Sequence, residues 1–434
     1  MNIRLLAGAA CAALTVMGAP ASAATSPVLP VSQINSADGA VASFYASRQG
    51  APLWLRTGAD SSAAREFLGV LARAPLDGMH SGPAIAAQAQ ALISRAQQGD
   101  QAALAAADRL LSSAWVRYVQ TIETPPAGMT YADRAVVPQQ EQPAQILAKA
   151  ASAGSLAAHV RSVSDVNPLY AQLRDAAWAD QSAGGQVDPR VLVSLERARS
   201  MPTSDRYVMV DAASARLYMI EDGRIADSMR VIVGSAEAPT PMLASTIYYA
   251  TLNPYWHVMP ELVRSLIAPN VLSQGLGYLK RQGYEVQAVG GGESAAALDP
   301  STVDWKAVAA GDETVRVRQL PGPANSMGRV KFGFPNASDI YLHDTPVKEK
   351  FEAADRNISH GCVRLEDAER LSSWMMGRDP IGSSNTPELN VALPKPMPIY
   401  VTYLTAQAHA GELSFVDDAY GLDARRLSQT ASLR

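Results

Sequence analysis

The chain has almost no cysteine: Cys11 and Cys362 are the two thiols in 434 residues. A disulfide framework is thereby excluded, because a chain that loses its first segment keeps one thiol with nothing to pair with. It also has no excess of basic residues. Lys and Arg number 37 against 41 Asp and Glu, for a formal charge of -4, and no basic run interrupts that balance, which argues against a nucleic-acid partner. After the first residues no stretch is apolar enough to cross a membrane. No close histidine pair or second cysteine accompanies Cys362, so a metal centre has little to stand on, and no cofactor motif is present. No internal repeat is visible.

What is present begins with an export signature. MNIRLLAGAACAALTVMGAPASA carries a basic start at Arg4, an apolar stretch from Leu5 to Met17 and a small-residue cleavage site at Ala21-Ser22-Ala23. This predicts a cleaved signal peptide over 1–23, a periplasmic protein and a mature chain without a transmembrane segment. Gly8 stands where a lipoprotein signal would need a larger aliphatic residue before Cys11.

With 47% hydrophobic and 18% charged residues the chain can bury a substantial core, and its length predicts two or three domains. Residues 26–200 read as helical. Leu104, Ala107, Leu111, Ala114 and Tyr118 fall at helical spacing, as do Phe67, Leu68, Leu71 and Ala74. Asp188-Pro189 predicts a capped final helix. His80 and His159 stand alone and read as structural or solvated. From residue 201 to 405 the period changes to two: RYVMVD, RLYMIED and SMRVIVG alternate as strands, with a turn at Glu221-Asp222-Gly223-Arg224, and further strands fall at TVRVRQL, GRVKFGF, DIYLHD and PIYVTYL. A partly helical insertion at about 253–305, with Pro260 opening a short helix and a flexible VGGGES loop, predicts a lid. Residues 406–434 read as a polar tail with little periodicity. The fold class is α+β: a helical domain, then a β-rich domain of mixed sheet or sandwich form.

The chemistry gathers around SHGCVRLED, residues 359–367. A thiol of ordinary pKa is only about 3% thiolate at neutral pH, so a catalytic cysteine needs a base or cation beside it. His343, in DIYLHD, can reach Cys362 from a neighbouring strand and is the favoured base; His360, two residues from the thiol, is the next. Gly361 permits a tight path that aims consecutive N–H groups at one point, as an oxyanion hole requires. Arg364 offers a planar bidentate partner for a carboxylate. A nucleophile beside an anion receptor suits acyl transfer from a peptide with a free carboxylate. A metal site of His343, Asp344, His360 and Cys362, a redox thiol and an inert buried cysteine are the competing readings. The redox thiol lacks a resolving partner, and the inert cysteine leaves the clustered His, Gly and Arg unexplained.

Ser359-His360-Gly361-Cys362-Val363-Arg364, with Tyr341-Leu342-His343-Asp344-Thr345-Pro346 before it, resembles the signature of the L,D-transpeptidase (YkuD) family. Arg318-Gln319, Pro321-Gly322-Pro323, Asn325, Gly328 to Phe332 and Phe334-Pro335-Asn336 extend the similarity. NPYW and the long insertion resemble the large multi-domain (YcbB-like) subgroup, and FYASRQGAPLW more loosely resembles its scaffold. The resemblance implies a periplasmic cysteine acyltransferase in peptidoglycan biosynthesis and cell-wall organisation. The nucleophile falls on Cys362 and the base on His343, oriented by the Asp344 carbonyl. The oxyanion donors fall around His360, Gly361 and Cys362, and substrate contacts on Arg364 and Ser359, with no cofactor. Its partners are stem peptides, a tetrapeptide donor and a diaminopimelate acceptor, joined as 3→3 cross-links. The same acyl-enzyme can instead serve hydrolysis, D-amino-acid exchange or lipoprotein anchoring, and a non-catalytic wall-binding scaffold is the reading of a different class. Residues 165 to 199 are too short for the peptidoglycan-binding module that members of the subgroup often carry.

Overall fold

A computed structural model describes residues 31–199, 204–290 and 295–432. The expected signal peptide and most of the VGGGES loop lie outside these residues.

The N-terminal part is helical, as its spacing predicts: α1 (Val31–Ser47), α2 (Ser62–Arg73), α3 (Gly82–Gln97), α4 (Gln101–Ile122), α5 (Pro143–Ser152), α6 (Leu156–Asp165), α7 (Pro168–Ser182) and α8 (Pro189–Ala198), with a short strand β1 (Thr130–Tyr131) after α4. Ala107, Leu111, Ala114 and Tyr118 form the buried stripe of α4. They meet an aromatic cluster in which Trp54 stacks on Phe67 at 5.0 Å and Trp115 on Tyr118 at 6.0 Å. One buried carboxylate organises the segment before α2. Asp108 accepts from the amides of Leu53, Trp54 and Leu55 at 2.7 to 2.8 Å and from the Tyr45 hydroxyl. Asp188 caps α8 by accepting from Arg190 N at 2.9 Å. His80 is exposed and His159 is half-buried against Trp115, both outside the cleft described below.

The β-rich part contains β2 (Arg206–Asp211), β3 (Arg216–Glu221), β4 (Arg224–Gly234), β5 (Leu243–Leu252) and, after the insertion, β9 to β13. The insertion brings β6 (Trp256–Val258), the one-turn α9 (Pro260–Leu262), α10 (Ala268–Gln274), α11 (Gly277–Gln282), β7 (Tyr284–Gln287), α12 (Trp305–Ala310) and β8 (Arg316–Gln319). The chain then returns as β9 (Val330–Gly333), β10 (Tyr341–His343), β11 (Asn357–Ser359), β12 (Val363–Leu365), α13 (Ala368–Met376) and β13 (Leu389–Thr402). The main sheet runs β1-β5-β13-β2-β3-β4-β12-β10-β9, and β9 pairs again with β5, so the sheet closes on itself. Alternation decides what it encloses. In β2, Val208 and Val210 face the interior with Leu217, Val231 and Ile399. Tyr207 and Met209 face outward into a second cluster with Tyr400 and Val136, which is why the strand is buried on both faces.

Two expectations need correction. TVRVRQL, read as a strand of the main domain, joins the lid instead: β8 is the middle strand of a separate three-stranded sheet with β6 and β7. Alternation reveals a strand but not its partner, and the lid therefore reaches Gln319 rather than ending near 305. It has its own core of Val258, Ile267, Leu279, Trp305 and Val317. The polar tail is also structured. β14 (Ala406–His409) and β15 (Glu412–Phe415) form a hairpin, and α14 (Leu422–Ser432) follows. They dock by apolar and polar contacts together: Ala406 and Leu413 join the helical core, and Tyr420 and Leu422 join the barrel core. Arg197 of α8 donates to Asp423 at 2.5 Å and to the Tyr403 carbonyl at 2.9 Å, and Arg426 forks onto Glu196.

Candidate active site

Strand alternation and register build the site. In β10, Leu342 points into the barrel core while Tyr341 and His343 point out. The antiparallel partner of His343 is Lys331 of β9, and its parallel partner is Arg364 of β12. Lys331, His343 and Arg364 thus form a row across three strands on one face. Cys362 immediately precedes β12. All four line a cleft of about 510 Å³ between the sheet and the lid. The lid contributes Tyr255, Trp256, Met259, Leu262 and Leu266, an apolar roof over a cationic floor.

His343 is 5% exposed, and its Nδ1 lies 2.6 Å from the Asp344 carbonyl oxygen. A carbonyl brings no proton, so Nδ1 donates and Nε2 keeps its lone pair. Burial, then the nearby Arg364 charge, pushes the imidazole pKa down to about 3. The ring is therefore neutral at pH 7. Burial likewise raises the Cys362 thiol, against hydrogen bonding from Tyr341 and the charges of Lys331 and Arg364. The resting pair is thiol and imidazole rather than thiolate and imidazolium. Sγ sits 3.7 Å from the Asp339 carbonyl oxygen. Arg364 and Lys331 have no carboxylate partner among the described residues, and Lys331 Nζ lies over the Tyr341 ring at 4.8 Å.

The loop around the thiol is tightly held. Gly361 has φ +110°, and a Cβ there would come within 2.9 Å of Ile340 Cδ1, so the position requires glycine. Its amide, expected among the oxyanion donors, instead donates to Ser359 Oγ at 3.1 Å. Ser359 is 3% exposed, and its hydroxyl in turn donates to the Cys362 carbonyl at 2.6 Å. That hydroxyl is engaged in both senses and fastens the loop at the edge of the cleft. His360 is exposed at the cleft rim. Asp344 acts on His343 through its carbonyl. Its carboxylate turns away to Arg329 N at 2.9 Å and Lys348 Nζ at 2.8 Å. Among the described residues no cluster of His, Cys, Asp and Glu is arranged to hold a metal ion.

Sequence reasoning gave no site role to Lys331, Tyr341 or Asp339, and it expected the lid without saying which of its residues face the cleft. The alternation of Val330-Lys331-Phe332 places Lys331 opposite the core, but only the register places it beside His343.

Residues 205–384 match the L,D-transpeptidase catalytic domain family (YkuD), and residues 39–176 match a scaffold domain family. A Haemophilus influenzae protein named "Putative L,D-transpeptidase" is 26% identical over 394 residues, covering 88% of this chain and 78% of that protein. Among solved structures, the L,D-transpeptidase from Mycobacterium smegmatis is 14% identical, with 45% of this chain and 58% of that chain covered and a TM-score of 0.23. The catalytic domain of the Enterococcus faecium L,D-transpeptidase acylated by ertapenem is 11% identical, with 46% and 99% covered and a TM-score of 0.25. This chain spans about half the length of other solved chains it matches. The motif residues sit in one cleft of the matched catalytic segment, and the matched helical segment precedes them. The chain thus carries a segment, 205–384, that matches the L,D-transpeptidase catalytic domain family, behind a segment, 39–176, that matches a scaffold domain family.

Proposed function

We propose that the protein is a periplasmic peptidoglycan L,D-transpeptidase that forms 3→3 cross-links through a thioester on Cys362. The observation that carries this reading is the row Lys331-His343-Arg364 beside Cys362 in one cleft. It joins a nucleophile, a neutral base and two cations that lack acidic partners.

The donor tetrapeptide enters under the lid, and the carboxylate of its terminal D-alanine pairs with Arg364, which desolvation has prepared for an anion. His343 Nε2 takes the thiol proton as Sγ attacks the carbonyl carbon of the third residue, diaminopimelate. The carboxylate on Arg364 offsets the charge that depresses the imidazole, so donor binding itself strengthens the base. The oxyanion is met by main-chain N–H groups of the 360–362 turn, with that of Cys362 the leading donor. His343 then returns the proton to the departing D-alanine amine, leaving the thioester. A diaminopimelate side-chain amine from a second stem attacks the thioester carbonyl. His343 relays the proton from that amine to Sγ, which frees the thiol. Asp344 holds the imidazole through its carbonyl, and no metal or cofactor takes part in these steps.

The test is mass spectrometry of the purified protein incubated with a diaminopimelate-containing disaccharide-tetrapeptide. The expected result is an acyl adduct on Cys362, free D-alanine and a 3→3 dimer. An adduct resolving to tripeptide alone would move the function to hydrolysis, and a Cys362→Ala protein that still cross-links would sink the mechanism.

A further inference from the structure

Three peptide planes surround the thiol, and each is held by a different bond. Ser359 Oγ fixes the plane before Gly361 and the plane after Cys362, through Gly361 N and the Cys362 carbonyl. The middle plane, Gly361–Cys362, is held from outside the motif: Thr240 Oγ1 donates to the Gly361 carbonyl at 2.7 Å. A trans peptide is planar, with its C=O and N–H pointing in opposite directions. Whatever fixes the Gly361 carbonyl therefore also aims the Cys362 N–H.

Thr240 is itself constrained. It is 2% exposed and sits between Pro239 and Pro241, and its hydroxyl accepts from Gly234 N at 2.8 Å while donating to Gly361. The loop is so tight that a Cβ on Gly234 would lie 2.1 Å from the Ala238 carbonyl oxygen. Behind it stands the tail. Tyr420 donates its hydroxyl to the Gly234 carbonyl at 2.6 Å, stacks on Tyr403 at 5.0 Å and donates its amide to the Tyr403 hydroxyl at 3.0 Å.

We propose that Thr240 is a positioning residue that orients the Cys362 N–H as an oxyanion donor, and that Tyr420 makes the C-terminal tail part of the same support. The proposal rests on Cys362 being the residue that is acylated. It requires no particular peptide donor.

The test uses the full mature protein and two probes of the thiol. Acylation by p-nitrophenyl acetate builds negative charge on a carbonyl oxygen, whereas alkylation by iodoacetamide does not. Thr240→Val, close in shape but without the hydroxyl, is expected to slow acylation by about 100-fold, the typical effect of losing one oxyanion donor. Alkylation should change less than about twofold, since no such donor is used there. Thr240→Ser should recover most of the acylation rate. Tyr420→Phe, tested alongside, should slow acylation in the same selective way by a smaller factor. Equal loss of both reactions, unimpaired acylation in Thr240→Val, or a serine variant as slow as the valine one would overturn the proposal. Wild-type acylation by the ester but not by a tetrapeptide would refute the proposed substrate and leave this inference standing.

Discussion

His343 makes the stability of the protein depend on pH in a way that can be worked out. Burial and the Arg364 charge hold its pKa at about 3, against about 6.5 in an unfolded chain. Between those values the unfolded state binds the extra proton. The stabilisation is therefore fully present above about pH 6.5 and is lost as pH falls toward 3. From pH 7 to pH 5 the loss amounts to about 2 kcal/mol. Asp211 works in the opposite sense, because burial pushes its carboxyl up to about 6 and protonation below that value favours the folded state. His159, whose pKa burial also lowers, adds to the loss. Both are common to wild type and to His343→Gln, so the difference between the two proteins isolates His343. Urea unfolding of each at pH 7 and pH 5 should show wild type losing about 2 kcal/mol more than the variant. Equal losses would mean that the imidazole is not held neutral by its surroundings, and the thiol–imidazole description of the resting site would fall with it.

Arg364→Gln removes a charge-assisted carboxylate contact and should lower kcat/KM for a tetrapeptide donor by about 10- to 100-fold, while iodoacetamide still labels Cys362; unchanged turnover would count against carboxylate binding there. The same variant should raise the His343 pKa, because Arg364 is the second cause of its depression, and NMR of the imidazole checks the direction. Gly361→Ala combines an unfavourable φ with a contact of 2.9 Å to Ile340, and should abolish acylation while the remainder of the fold keeps its circular dichroism. In the scaffold, Asp108→Ala strands three amides of residues 53–55 and should cost about 3 kcal/mol or more, read by denaturant unfolding; a loss below about 1 kcal/mol would mean that water replaces the carboxylate.

Periodicity made much of this architecture legible before any coordinates. The stripe of α4, the Asp188 cap, the alternation of β2 to β4 and the clustering of Cys362, Gly361 and Arg364 are local patterns, and local patterns are what a sequence displays directly. Pairing is not local. Nothing in TVRVRQL says whether its partners are the barrel or the lid, and nothing in GRVKF says that Lys331 lies beside His343. Hydroxyls engaged at both ends, such as those of Ser359 and Thr240, look in sequence like any other serine or threonine. The tail offers only a few scattered apolar anchors, Ala406, Leu413, Tyr420 and Leu422, beside ion pairs such as Arg426–Glu196, and so sparse a set leaves no period to read.

β13 occupies a position with consequences for how the molecule comes into being. It hydrogen-bonds to β5 along one edge and to β2 along the other, joining strands made early to one made last. A ribosome finishes the thiol loop before it reaches Leu389. Until β13 arrives, β2 and β5 expose unpaired edges, and the barrel that holds Cys362 opposite His343 cannot close. A chain cut short before Leu389 thus keeps two unpaired strand edges and an open sheet rather than a closed barrel.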